Sequence, residues 1–184
     1  VAFNESSGTT TGDLIPLEPS QLAVMTAKYW GVKGVKLTVG FFENIPDSLA
    51  NKILQAGNNW RTKGRANVTF TRTNSVQAAD VRITVSGEQY WSYLGPDILQ
   101  IPRTQPTMML GGFNQNTTDA EFARVAEHEW GHTLGFPHEQ SLPDAIGLLD
   151  YEKTVAWGMR VTGWSRQQVI SQMLTPLPPH SFRA

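Results

Sequence analysis

Cysteine is absent from the 184 residues of this chain. Its absence excludes disulfide bonds, thiolate metal sites and a catalytic cysteine together. Histidine is scarce, with four residues in the chain, so a cluster of histidines would be informative. No segment approaches the roughly 20 consecutive apolar residues that a membrane-spanning helix needs. The sequence therefore predicts a fold held by side-chain packing, without membrane helices.

Net charge is also nearly absent, because 15 Lys and Arg residues stand against 16 Asp and Glu residues. No overall field favours nucleic acid, a membrane surface or a strongly charged partner, and we expect none of these as ligands. The chain begins at Val1 without a signal-like apolar segment, which predicts a processed and soluble protein. Function must then come from a local site.

The chain divides into three parts by composition and periodicity. Residues 4–13 are polar and small, and we predict a flexible arm over residues 1–20. Residues 21–135 alternate between strand and helix patterns, whereas residues 136–184 are rich in turns. Because this length fits one domain, we interpret the two larger parts as an N-terminal and a C-terminal subdomain.

Alternating apolar residues predict strands at three places, which are residues 35–41, 68–70 and 81–85. A helix should begin at Asp47, interpreted as its N-cap. Capping boxes predict two further helices, one from Thr118 and one from Ser165. The short apolar run at 107–110, which ends before two glycines, is a candidate edge strand.

The segment with the clearest chemistry is residues 128–138, which read His-Glu-Trp-Gly-His-Thr-Leu-Gly-Phe-Pro-His. On a helix, His128 and His132 lie one turn apart on the same face, so both imidazoles can bind one ion at about 2.1 Å. Glu129 is rotated by about 100° from His128, which places it beside the ligand row. That position suits a base that takes a proton from water.

His138 can join the same ion only if the helix stops, because about ten helical residues would carry it about 15 Å along the axis. Gly135 permits a left-handed C-cap, and Pro137 prevents helical continuation. A lone histidine is more often a hydrogen-bonded core residue, and we keep that interpretation for His180. Three histidines at these spacings instead predict one catalytic zinc ion per chain.

This motif resembles the elongated zinc motif of the metzincins. Residues 136–144 are similar to the corresponding segment of astacins, and so is Trp91-Ser92-Tyr93-Leu94-Gly95, although Tyr90 stands where astacins usually have cysteine. The resemblance implies a secreted zinc endopeptidase with an α+β, zincin-like catalytic domain. Its sheet would be twisted and mainly parallel with an antiparallel edge strand, accompanied by two long helices and a small irregular C-terminal subdomain.

The resemblance also implies roles that spacing does not assign. Glu139 would be a structural residue of the site, linked in astacins to the N-terminal amine, and a solvated or locally hydrogen-bonded glutamate is the alternative. The edge strand above the cleft would bind an extended protein or peptide substrate, and an ordinary buried strand is the alternative. The residues of that strand are Thr107, Met108, Met109 and Leu110.

One family feature, the methionine turn beneath the metal, has no match after His138. Met159 and Met173 are the only methionines there, and Met173 suits a core position better. We therefore expect an incomplete C-terminal subdomain. Three alternatives stay open for the rest of the catalytic domain: it was removed, it lies on a second polypeptide after a nick, or it is otherwise absent from this sequence.

Two other functions stay compatible with the sequence. One is a non-catalytic zinc-binding fragment or module, which retention of Glu129 disfavours because a structural site needs no base. The other is a zinc hydrolase acting on a non-peptide amide, which the candidate edge strand disfavours. The favoured prediction is a zinc-dependent endopeptidase.

Overall fold

The computed structural model describes residues 5–6, 24–138, 147–176 and 182–183. The strands are β1 (Glu5–Ser6), β2 (Val24–Met25), β3 (Val35–Phe41), β4 (Val68–Arg72), β5 (Val81–Thr84), β6 (Gln89–Ser92), β7 (Met108–Leu110) and β8 (Phe182–Arg183). The α-helices are α1 (Asp47–Thr62), α2 (Asp119–Glu121), α3 (Glu127–Leu134), α4 (Tyr151–Thr162) and α5 (Arg166–Val169). Short 3-10 helices span Thr26–Lys28, Val76–Ala78 and Gly95–Gln100, and π-helical turns span Phe122–Ala126 and Ile170–Leu174.

The main sheet has the strand order β1-β6-β7-β5-β3-β4. Strands β4, β3, β5 and β7 run parallel, whereas β6 pairs antiparallel with β7 and β1 pairs antiparallel with β6. A second, two-stranded sheet joins β2 to β8. The expected α+β class, with a mainly parallel sheet that is antiparallel at one side, is confirmed.

Helices α1 and α3 pack against this sheet through one shared core. The ring of Trp130 on α3 lies 4.1 Å from the ring of Phe70 on β4, and its Nε1 donates to the carbonyl of Ile53 on α1 at 2.9 Å. A Cβ added to Gly57 would come within 2.8 Å of the Trp130 ring. Glycine at this position therefore allows the close approach of the two helices.

The prediction that residues 107–110 form an edge strand is wrong. Strand β7 lies between β5 and β6, so both of its sides already take part in strand pairing. Met108 and Leu110 are fully buried. The physical reason is that an apolar strand covered on both faces is stabilised most in the interior of a sheet. Strand β6 has one less buried face and lies on the outer side of β7.

Arg82 is a second departure from the sequence pattern. It alternates with Val81 and Ile83 along β5, yet its side chain is 0% exposed. Its guanidinium donates hydrogen bonds to backbone carbonyls of the loop before β7, including Gln105 at 2.9 Å and Ile101 at 3.0 Å. The loop folds over the end of β5 and supplies the acceptors that make this burial tolerable.

Helix starts follow the predicted caps in two of three cases. Thr118 accepts a hydrogen bond from the Glu121 N–H, and Ser165 forms a complete capping box. The assignment of Asp47 as an N-cap is wrong, because Pro46 holds that position and Asp47 is the first helical residue. The Asp47 carboxylate instead pairs with Arg72 on β4.

The C-terminal part forms its own small apolar cluster. Val155 of α4 packs with Val169 of α5 and with Leu174, and Met173 lies against them, in agreement with its predicted core role. Among the described residues, no helix is long and apolar enough to cross a membrane. Of the predicted arm at 1–20, the structure describes Glu5–Ser6 alone, which form β1.

Candidate active site

One long helical segment carries most of the motif. It runs from α2 through the π-helical turn into α3, and the N–H of Glu127 donates to the carbonyl of Phe122, five residues earlier. Single π-turns inside α-helices occur often at functional sites. Here the turn lies directly before His128, so it sets the direction in which the histidine face of α3 points.

The structure brings the three predicted histidines together. His128 and His132 lie on α3, and the ring centroids of the three histidines are 4.5–5.2 Å apart. One nitrogen of each ring lies within 4.8 Å of the corresponding nitrogens of the other two. After small side-chain rotations, three nitrogens this close to one another can each lie about 2.1 Å from one shared zinc ion.

The chain reverses direction at Gly135, as the sequence predicted. Gly135 has φ 99° and ψ 10°, and its N–H donates to the carbonyls of Gly131 and His132. The N–H of Phe136 also donates to the Gly131 carbonyl, at 3.0 Å. These bonds satisfy the last carbonyls of α3 and return residues 136–138 toward the histidine face.

A backbone carbonyl orients His132. Its Nδ1 lies 2.7 Å from the carbonyl oxygen of Phe136. Because a carbonyl oxygen only accepts, Nδ1 must carry the proton, and Nε2 keeps the lone pair that a metal needs. A hydrogen bond of this kind from a metal-binding histidine to a carbonyl fixes both the tautomer and the ring direction.

Glu129 is 1% exposed and follows His128 on the same helix. Its Oε2 atom is buried, as are the Nε2 atoms of His128 and His138. A buried carboxylate is costly unless it is hydrogen-bonded or positive charge lies close by. The buried carboxylate, the three clustered imidazoles and the tautomer of His132 together fit a divalent zinc ion.

Three contacts hold the end of α3 in place. Trp30 donates its indole N–H to the Thr133 carbonyl at 2.8 Å, and the N–H of Met25 donates to the Gly135 carbonyl at 3.0 Å. The hydroxyls of Thr133 and Ser92 lie 3.0 Å apart in the interior. Because Ser92 belongs to β6, this last contact places the antiparallel strand beside the helix that carries the histidines.

The predicted substrate-binding strand already has a paired neighbour on each side. The main chain of β7 pairs on one side with β5 and on the other with β6, and the Thr107 N–H donates to the Arg82 carbonyl at 2.8 Å. An added strand would have to displace one of these neighbours. Glu139, the predicted structural residue, lies outside the described residues.

Two contributors to the site escaped the sequence reasoning. The Phe136 carbonyl gives no signal in a sequence, because every residue has one. Trp60 on α1 donates its indole N–H to the Glu127 carbonyl at 2.8 Å. Its size and its position at the end of the helix were the available signals.

Comparison with known proteins identifies the family. No protein-family model and no curated protein sequence matches the chain. A solved structure of myroilysin superimposes with a TM-score of 0.75, at 30% sequence identity over 88% of this chain and 77% of the myroilysin chain. This chain belongs to the astacin-like metzincins.

A further crystal structure of myroilysin matches this astacin-like metzincin with a TM-score of 0.60, at 30% identity over 85% of this chain and 69% of that one. High choriolytic enzyme 1, a hatching enzyme zinc-protease from the medaka fish Oryzias latipes, matches with a TM-score of 0.47, at 20% identity over 73% and 62% of the two chains. As an astacin-like metzincin, the chain is a zinc metalloendopeptidase.

Proposed function

We propose that this chain hydrolyses internal peptide bonds of extended substrates, with one zinc ion held by His128, His132 and His138 and with Glu129 as the general base. The observation that carries the proposal is the buried Glu129 carboxylate beside three converging imidazoles. A metal site with only a structural purpose would gain nothing from a buried carboxylate at that position.

The proposed mechanism assigns one proton path to Glu129. Zinc, when bound, would polarise the scissile carbonyl and lower the pKa of water to about 7. Glu129 accepts a proton from the attacking water as the new carbon–oxygen bond forms, and delivers it to the amine nitrogen as the carbon–nitrogen bond breaks. One water is consumed for each peptide bond, and no covalent enzyme intermediate forms.

We propose β6, in place of β7, as the strand that receives an extended substrate. The outer edge of β6 pairs antiparallel with the chain's own Glu5–Ser6, in the register Glu5 to Tyr90 and Ser6 to Gln89. An edge that accepts one extended segment offers the same main-chain donors and acceptors to another. A hydrogen bond between the Ser92 and Thr133 hydroxyls connects this strand to α3.

Digestion of casein by the purified chain tests the proposed reaction. We expect internal cleavage that stops when a chelator removes the metal and returns when zinc is added, because the buried site needs the cation. A simple non-peptide amide is the matched substrate and should be left intact. Zinc-loaded protein that leaves casein uncleaved would contradict the proposal and favour a zinc-binding module without activity.

Removal of residues 1–6 tests the assignment of β6. If the arm and the substrate compete for the same edge, the shortened chain should have a KM several-fold lower and an unchanged kcat. Steady-state kinetics with an unstructured peptide substrate gives both constants. A change of Glu5 to Gln is the control, since it preserves the main-chain pairing. Equal KM values for the full and shortened chains would remove β6 from the substrate site.

A further inference from the structure

Trp60 contacts both pieces of chain that supply the three histidines. It lies near the end of α1, half-buried against the main core. Its indole N–H donates to the Glu127 carbonyl at 2.8 Å, directly before His128. Its ring stacks on Phe136 at 5.1 Å between centroids and 17° between planes. The same side chain therefore joins the start of α3 to the segment that returns from its end.

The sequence of α3 leaves room for this ring. A Cβ added to Gly131 would come within 2.9 Å of the Trp60 ring, closer than real Cβ atoms approach their neighbours. Gly131 is the residue directly before His132, and its carbonyl also accepts the N–H of Phe136. Glycine inside an α-helix weakens it by about 1 kcal/mol relative to alanine, so its use here has a packing reason.

The stacking partner of Trp60 controls a ligand. The Phe136 carbonyl holds the Nδ1 proton of His132 at 2.7 Å, and His138 follows two residues later. A rotation of Phe136 would move the acceptor that fixes the tautomer of His132 and would also shift His138. Outer-shell partners of this type typically change metal affinity by 10-fold to 100-fold when they are altered.

We infer that Trp60 is a positioning residue of the metal site, which aligns the two histidines of α3 with His138 through its contacts to Glu127, Gly131 and Phe136. This inference rests on the proposed zinc site. Trp60 is not one of the three proposed metal ligands. Its effect passes through the direction of the His132 ring and the position of the returning segment.

Trp60→Leu tests the inference by metal affinity, measured by chelator competition on the full chain. We expect the zinc dissociation constant to rise 10-fold to 100-fold, because leucine provides neither the stack nor the N–H. The visible spectrum of the cobalt-substituted protein should change as well, since it reports ligand geometry that zinc itself does not reveal. Trp60→Phe, which keeps a stacking ring, should have a smaller effect on both.

Ile53→Ala is the matched control, because Ile53 is a buried residue of the same helix, and the hydrogen bond that its backbone carbonyl accepts from Trp130 of α3 does not depend on its side chain. The denaturation midpoint of each variant is also measured, so that the change in zinc affinity can be compared with the loss of stability. If Ile53→Ala weakens zinc binding and alters the cobalt spectrum as much as Trp60→Leu does, the role of Trp60 is only structural and the inference fails. A wild-type chain that binds no zinc would instead overturn the proposed metal site.

A pair of variants decides the matter even if Trp60→Leu does not fold. Gly131→Ala should weaken zinc binding, since the new methyl group meets the indole ring. Adding Trp60→Phe should restore part of the lost affinity, because the smaller ring leaves space for that methyl. If the double variant binds zinc no better than Gly131→Ala alone, the proposed contact does not set the geometry of the ligands.

Discussion

Glu129→Gln should fold and bind zinc like the wild type but hydrolyse peptide bonds about 100-fold to 10,000-fold more slowly. Glutamine has nearly the same volume as glutamate and fits the same buried space, but it cannot accept the proton of the attacking water. The expected loss corresponds to about 3–5 kcal/mol in the activation free energy, at about 1.4 kcal/mol for each factor of ten. Steady-state kinetics on a peptide substrate measures the effect.

Glu127→Gln is the matched control for this variant, because Glu127 is another glutamate of α3 and lies two residues before Glu129. Its carboxylate accepts hydrogen bonds from Asn59 on α1 and from Lys63, which directly follows α1, and a glutamine oxygen can keep accepting them. We expect its turnover within a few-fold of the wild type. Comparable turnover in Glu129→Gln and in the wild type would refute the assigned base.

His138→Ala should weaken zinc binding by more than about 100-fold, the upper end of what loss of an outer-shell partner costs. A direct ligand contributes more than the group that orients it. Since His138 lies on the returning segment, its removal leaves α3 and the pair His128 and His132 in place. The variant should keep its helical content and lose peptide hydrolysis with the metal. Metal analysis after dialysis measures the zinc content, expected near one ion for each wild-type chain.

The control for this variant comes from the sequence itself. His180 is the one histidine outside the motif, so His180→Ala removes the same side chain without touching the proposed site. We expect its zinc content and activity to match those of the wild type. Undiminished zinc affinity in His138→Ala would remove His138 from the ligand set, and a loss in His180→Ala would place a ligand where none is proposed.

Local patterns predicted several of the elements, although helix α4 (Tyr151–Thr162) lies in the part expected to be rich in turns. The alternation at Val35–Phe41 and the capping sequences at Thr118 and Ser165 lead to the observed strand and helices. Such patterns succeed because their physical basis lies within a few residues. A side chain that satisfies the first N–H groups of a helix, or one that alternates across a strand, acts on its immediate neighbours.

Position in the sheet was less predictable. Residues 107–110 form an interior strand, because β6 comes before β7 in the chain and yet lies outside it in the sheet. Nearly every residue type offers the same main-chain donor and acceptor, so the sequence does not indicate through these bonds which strands pair with each other. The predicted substrate strand was chosen for its expected edge position, which is why we propose β6 in its place.

The sequence by itself determined the arrangement of the proposed metal site: the spacing of His128, Glu129 and His132 on one helix, and the turn at Gly135 that returns His138. Helical pitch and the left-handed freedom of glycine are local properties, so a short stretch of residues suffices to specify them. Only the tertiary structure decided how that constellation is held. The burial of Arg82 depends on backbone carbonyls of a distant loop, and the stacking of Trp60 on Phe136 depends on a ring from a distant part of the chain. Contacts between elements far apart in sequence leave no periodic pattern, because packing can satisfy them with many combinations of side chains.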